Sequence, residues 1–493
     1  MNRSAPWRLL LAVAVTGFWT PATSQVSVSE QLETWYTQTL KTAPGLWGVV
    51  VADENGDVLW SVNGAEPMTP ASTVKVLTTG FARSMLGGEA RLPTRVVGSG
   101  GVDPTDGTWK GTWALELNGD PTLGRPDADG PTLAALAQQL ASIGVQRLVG
   151  PFAVTTALGN ARSSYPAAWA ARHRGRYFAP PVGPITINEN LVAFTIAAGE
   201  RSGRNAVLTA ELPTGTSALV TINAKTVAGR TNRLTIRADG DGWVVNGTIG
   251  VNASPRRYTF VAHNPVAVVE AAWGSALDRV GISWDRTASI SSLPRSTPRV
   301  MAEVVSPTFD VIASEVNRRS VNIGAELMLR WGGGVTGAAS QLEQHVRDVT
   351  GLTDGIRLVD GSGLSDNDRV SPVVFTTYLA NFPRTAAGRD FPLLLPANGS
   401  GTLRSLATGL PERGVVRAKT GSLNNTSTLV GYLGRPEGML VVAAMYNGPR
   451  TSNARQAQWA LFRSLGVEGV VIPPAAVDDQ IDVTFGGEAA GMR

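Results

Sequence analysis

Strand signals stand at both ends of this chain with helical patterns between them, and that placement constrains the fold more than any other feature. Near the start, the runs 46–52 and 58–62 flank Glu54-Asn55-Gly56-Asp57. Asn-Gly readily supplies the positive φ angles of a tight hairpin turn, so a hairpin is expected there. Near the end, 415–419, 428–433 and 440–446 read as strands, followed by a helix over 452–465. Sheet strands at both ends with helices between them imply one α/β domain built from N- and C-terminal segments. Something is inserted into it.

From about Arg91 to Pro298 the composition turns to Gly, Thr, Val and Asn in alternating stretches such as 207–212, 218–222 and 233–237. Two helices are expected within it, at 132–143 and 265–280. The expected division is therefore a discontinuous domain over 25–88 and 303–473, a large and mostly β insertion over 89–302, and a loose tail over 474–493. At the other end, Arg3 and Arg8 precede an apolar run 9–19 and then Thr20-Pro21-Ala22-Thr23-Ser24. A charged start, a short apolar stretch and small residues form the pattern of an export leader, with cleavage expected after Ser24. The run is about half the length a membrane span needs, so a secreted product in the periplasm or cell envelope is expected, with no span left after processing.

Charge narrows the partners. The net charge is +4, and no Lys/Arg block forms a stripe suited to nucleic acid. Cysteine is absent, which removes disulfides and thiol catalysis. Paired metal ligands are lacking, so no metal or cofactor is expected. The chain carries 38 arginines but only five lysines, Lys41, Lys75, Lys110, Lys225 and Lys419. Arginine keeps its proton near neutral pH whereas a buried lysine can release it, so positions that keep lysine invite inspection for chemistry.

Ser72-Thr73-Val74-Lys75 lies where a helix over 71–86 is expected, and a spacing of three puts Ser72 and Lys75 on one helical face. Serine needs an adjacent base to become a nucleophile. Lys75 can be that base once its pKa falls, and the free N–H groups of a helix start suit a developing oxyanion. Lys419-Thr420-Gly421 follows an apolar strand, where Lys and Thr suit a substrate carboxylate and Gly permits close approach of the backbone. Ser-x-Asn occurs at Ser61/Asn63, Ser320/Asn322, Ser365/Asn367 and Ser422/Asn424. The first falls in the opening hairpin and the last overlaps the Lys419 strand. Of the two left, Ser320/Asn322 is favoured because it separates helical segments at 310–318 and 324–330.

In this order the elements resemble the active-site serine penicillin-recognising enzymes, and the mature chain resembles the D-alanyl-D-alanine carboxypeptidase/endopeptidase family that carries a large insertion. The likeness runs through 70–76, Gly119-Asp120-Pro121-Thr122-Leu123, Asn188-Glu189-Asn190, 320–326, Asp360-Gly361-Ser362-Gly363-Leu364-Ser365, Gly401-Thr402-Leu403 and 418–423. It implies a serine β-lactamase/penicillin-binding transpeptidase-like α/β (α+β) domain, peptidoglycan stem peptides as substrates and β-lactam antibiotics as covalent inhibitors. It further implies that Ser72 attacks, Lys75 takes its proton, Ser320 relays protons to the leaving amine and Asn322 holds the substrate amide. Lys419 with Thr420 would bind the terminal carboxylate, and the N–H groups of Ser72 and Ser422 would form the oxyanion hole beside Gly421.

Two departures stand out. Relatives carry an acidic residue in the insertion, aligned with Thr155, and a basic one after Gly-Leu-Ser, where this chain has Asp366. That would alter a charged pocket for the diaminopimelate side chain. As alternatives, a β-lactamase of the same fold would need a Glu-x-x-Leu-Asn segment soon after the second motif, and none follows Asn322. A non-catalytic wall-binding relative is at odds with three intact motifs. A Ser-His-Asp hydrolase is disfavoured, since no Gly-x-Ser-x-Gly surrounds Ser72 and His173, His263 and His345 read as surface or capping residues.

Overall fold

The computed structural model describes residues 28–157, 162–285, 298–436 and 438–466. The expected leader, 1–24, and tail, 474–493, lie outside these. The two sets of strands form one five-stranded antiparallel sheet, in the order Val416–Leu423, Thr426–Arg435, Gly438–Asn447, Leu46–Asp53, Val58–Val62. Its register sets Val49 opposite Ala444 and Lys419 opposite Val430.

Both faces of this sheet are covered. Along Gly438–Asn447, Val441, Ala443 and Met445 join one core, while Leu440, Val442, Ala444 and Tyr446 join another. Side chains alternate across a strand, so burial on both faces requires the unbroken apolar run that the sequence shows. The first core is completed by the helices Val74–Leu86, Asn322–Gly333 and Pro372–Asn381. The second is completed by Val28–Thr42, to which the sequence reading gave no helix, and Thr451–Leu465. Trp35 Nε1 ties these two together, donating to Ala457 O at 2.9 Å.

A third core draws its buried members wholly from residues 96–302. Its largest sheet places Pro93–Val102 between Thr108–Glu116 and Arg299–Val305. The helices expected there are Leu133–Ser142 and Pro265–Arg279, capped by the side chains of Thr132 and Asn264, which accept from the N–H groups of Ala135 and Ala267. The strand expected over 218–222 is shorter, because residues 216–219 form a 3-10 turn ahead of Val220–Ile222. One excursion leaves this core: Trp169, Ala179 and Val182 join the first core instead. Among the described residues, no helix is long and apolar enough to cross a membrane.

Candidate active site

Ser72 occupies a 3-10 turn, Ala71–Thr73, tighter than the α-helical turn expected, which runs straight into Val74–Leu86. The turn is pinned by its neighbours. Pro70 O accepts from Thr73 Oγ1 and Thr428 Oγ1, each at 2.7 Å. Thr69 N–H donates to Asn447 Oδ1 at 2.9 Å, and Asn447 Nδ2 returns a bond to Thr69 O at 3.2 Å. A Cβ at Gly363 would come within 1.8 Å of Ala71 O, and one at Gly421 within 2.6 Å of Pro70 O and 3.0 Å of Ser72 N. Both glycines are therefore required for the backbones to close. Ala71 itself holds a φ of 50°, a left-handed conformation that costs an L-residue roughly 1–2 kcal/mol.

One turn on, Lys75 reaches back. Its Nζ donates to Ser72 Oγ at 2.9 Å, Asn322 Oδ1 at 2.6 Å and Ser362 O at 2.7 Å. The side chain is fully buried. Burial pulls its pKa down to about 7, opposed by Asp360, Glu326 and Asp368, which pull it back up. Near neutral pH a substantial share of Lys75 is thus the free amine, the form that accepts a proton.

Ser320 and Asn322 reach the same centre through a sharp corner. The helix Phe309–Arg319 ends on Ser320, whose φ of 60° and ψ of 45° turn the chain, and the next helix starts at Asn322. Gly401 backs this corner, since a Cβ there would meet Arg318 O at 2.3 Å. Asn322 Nδ2 donates to Phe178 O at 2.8 Å, while Ser320 Oγ accepts from Lys419 Nζ at 2.9 Å. The excursion through Phe178 is thus part of the site, which local sequence pattern did not suggest. The alternative Ser365/Asn367 lies on the 360–368 loop, where Ser365 Oγ accepts from Asn367 N–H at 3.1 Å.

Lys419 projects from the edge strand Val416–Leu423 and is also fully buried. Its second bond is to Thr420 O at 2.8 Å, so both of its hydrogen-bond partners are neutral oxygens. Burial, then Lys75 and Arg455, depress its pKa well below the usual lysine range. An arriving carboxylate would supply the missing counter-charge. Farther along the strand, Arg455 holds the segment with bonds to Gly421 O at 2.7 Å and Ser422 Oγ at 3.2 Å.

Behind Lys75 lie three buried carboxyl groups to which the sequence reading gave no role. Glu326 Oε1 accepts from the N–H groups of Gly361 at 3.1 Å and Ser362 at 2.9 Å. Asp360 accepts from Ser362, Gly363 and Ser365 at 3.0, 2.6 and 2.8 Å. Asp368 takes Val359 N–H at 2.8 Å. Together they clamp the loop whose Ser362 carbonyl holds Lys75. Burial first, and Asp360 second, lift Glu326 to about 7 and push Asp368 well above the usual carboxylate range.

Beside Ser320 stands a second set of charges. Asn188, Glu189 and Asn190 take φ values of 47°, 55° and 56° in succession, all left-handed. Glu189 accepts from Arg319 Nη1 at 2.5 Å and Nη2 at 3.3 Å, and pairs with Arg125 at 3.1 Å. Arg125 also meets Asp127 at 2.8 Å and Glu315 at 3.2 Å. By contrast, Asp120 of the Gly119 motif accepts from Thr122 N–H and Oγ1 at 2.8 and 2.6 Å, a local turn within the insertion.

Asp366 forms an ion pair with Arg172 of the insertion, and Thr155 ends the strand Phe152–Thr155, its carbonyl taking Leu117 N–H at 2.9 Å. One expectation needs correction. His345 is not a surface or capping residue: a ring nitrogen lies 2.9 Å from Tyr378 Oη, the ring packs on Phe81 and Phe382, and burial lowers its pKa to about 4. His173 packs partly buried against Phe178, and His263 is exposed with a ring nitrogen 2.8 Å from Gly240 O.

Comparison with known proteins places this geometry. The chain is 26% identical over 439 residues to a D-alanyl-D-alanine carboxypeptidase of an Actinomadura species, covering 81% of this chain and 77% of that one. It is 27% identical over 423 residues to a carboxypeptidase of Mycobacterium tuberculosis, covering 83% and 77%. Among solved structures it is similar to penicillin binding protein 4 of Haemophilus influenzae, with a TM-score of 0.68 at 21% identity over 87% of this chain and 98% of that one. That protein is also known in complex with a β-lactam. Residues 29–464 match the model of the D-Ala-D-Ala carboxypeptidase 3 (S13) family, and the chain belongs to that family.

Proposed function

We propose that Ser72 is the nucleophile and Lys75 the general base of this enzyme's acyl transfer. The chain is a serine-type D-alanyl-D-alanine carboxypeptidase/endopeptidase acting on peptidoglycan stem peptides. The observation that carries the residue roles is the Lys75 amine, fully buried, drawn down to about 7 and 2.9 Å from Ser72 Oγ.

In this reading Ser72 Oγ attacks the carbonyl of the D-alanyl bond as its proton passes to Lys75 Nζ. The N–H groups of Ser72 and Ser422 receive the oxyanion, and Gly421 keeps the two backbones close enough to share it. Asn322 holds the substrate amide, and Lys419 with Thr420 binds the terminal carboxylate. The C–N bond then breaks, the amine leaves with a proton relayed through Ser320, and water releases the acyl group from Ser72. A β-lactam would acylate Ser72 in the same way but keep its amine tethered, so the adduct persists.

The loop clamped by Glu326, Asp360 and Asp368 serves to position Lys75. We read 25–88 and 303–473 as the catalytic domain and 89–302 as the insertion. The leader pattern supports export and removal of residues 1–24, with action in the periplasm or cell envelope. Incubation with a β-lactam, followed by mass mapping, should add one drug mass on the peptide containing Ser72 and release it slowly. Labelling elsewhere, or rapid turnover of the drug, would sink this reading.

A further inference from the structure

Beside Ser320 opens a cleft of about 270 Å³ to which the reaction so far gives no occupant. Tyr177, Phe178, Pro180 and Leu191 supply its apolar wall, the corner at Ser320–Ile323 its floor, and the Arg319–Glu189 pair its polar wall. That volume approaches the roughly 300 Å³ at which pockets begin to hold drug-sized molecules. A departing alanine, with one methyl group, leaves most of it empty.

Position and charge together indicate what fills it. Ser320 Oγ bonds Lys419 Nζ, and on the reading above these two meet the departing amine and the carboxylate beside it. A cleft floored by Ser320 therefore begins where the leaving residue lies. Its polar wall is balanced: Arg319 and Glu189 pair with each other at 2.5 Å, and behind them Arg125 and Glu315 pair with Glu189 and Arg319 at 3.1 and 3.4 Å. Such a wall suits amide groups better than a free ion. Tyr177 stands 72% exposed beside it, with apolar area still to be covered.

We propose that this cleft receives the leaving peptide of a cross-linked substrate. The alkyl arm that carries the departing amine lies against Tyr177, Phe178, Pro180 and Leu191, and the amides beyond it meet Glu189 and Arg319. The covalent step is unchanged: the acyl–N bond breaks, Ser72 gains the acyl group, and the amine takes up a proton and leaves with the second peptide attached. The proposal rests on the assignment of Ser320 to the leaving side.

The test compares kcat/KM for a monomeric stem peptide ending in D-Ala-D-Ala with that for its D-alanyl cross-linked dimer, in the wild type and in Tyr177→Ala and Leu191→Trp. The first variant strips the wall and the second fills the cleft. In both, the dimer-to-monomer ratio should fall by about tenfold or more, the size of a modest hot-spot contact. If both ratios stay within about twofold of wild type while Ser72 still labels with penicillin and the monomer is still cut, the cleft assignment is wrong and the Ser72 reading stands. If wild-type enzyme neither labels at Ser72 nor cuts the monomer, both fall together.

Discussion

Two charged centres adjoin at the corner between Arg319 and Ser320, and they are built on opposite plans. In one, Arg125 and Arg319 face the carboxylates of Asp127, Glu189 and Glu315 at 2.5–3.4 Å. In the other, Lys75 and Lys419 are wholly buried and bonded only to neutral oxygens. A guanidinium held between carboxylates keeps its charge and acts as a strut. An ammonium deprived of both water and a direct counter-ion has its pKa lowered, and for Lys75, drawn down to about 7, that is the range general-base chemistry requires. The remaining lysines fit the contrast: Lys41, Lys110 and Lys225 are exposed.

If the contrast holds, the two centres should fail in different currencies. Lys75→Arg carries the largest expected effect, a loss of about 10²–10⁴-fold in the rate of penicillin acylation, because arginine cannot accept the proton. Lys419→Arg should retain a measurable part of that rate, since a positive charge suffices there. Equal and mild losses at both positions would mean that Lys75 is not the base. In the paired centre, Arg125→Met should instead cost stability, about 3–5 kcal/mol as for other buried pairs stripped of one partner, read from denaturant unfolding. A stability close to wild type would show that the network is ornamental.

The smallest effect sharpens the lysine side. Glu326, when ionised, raises the pKa of Lys75, and Glu326→Gln keeps the oxygen that accepts from Gly361 and Ser362 while removing the charge. With that anion gone the amine loses its proton more readily, so the upper part of the acid limb of the acylation profile should move to lower pH. Glu326 itself sits at about 7, so the gain should be at most a few-fold around neutrality, on the order of a fraction of a pKa unit in energy, and should fade at lower pH, where the wild-type carboxyl is already protonated. A limb that stays in place would remove Glu326 from any electrostatic role.

Much of this was legible because it is local. Ser72 and Lys75 share one helical turn, the Asn-Gly hairpin needs four residues, and continuous, largely apolar runs made the strands at 428–433 and 440–446 readable. The Ser320 corner could be chosen among four Ser-x-Asn pairs because helical periodicity stops on either side of it. What escaped was tertiary. Nothing near Phe178 announces that its carbonyl will hold Asn322, and Ser362 stands 287 positions after the Lys75 it meets. Glu326 sits one helical turn after Asn322, a spacing that could have flagged it, but its partners at 361 and 362 are set by loop geometry. Arg172 was missed as the partner of Asp366 for the same reason, and His345 because its aromatic neighbours come from two other segments.

The middle strand of the sheet, Gly438–Asn447, has a consequence for how the enzyme is made. It enters the sheet last in sequence and lies between strands from both ends of the chain, and its Asn447 fastens Thr69, 378 positions earlier, just ahead of Ser72. A partly synthesised chain therefore carries Ser72 long before it can hold it in place, and it exposes Leu46–Asp53 with no partner on that edge. Such late, long-range closure is slow and leaves apolar strands open to aggregation in the meantime. On the proposed roles, a chain stopped short of Asn447 should not capture a β-lactam at Ser72, so capture would report that this last strand has closed the sheet.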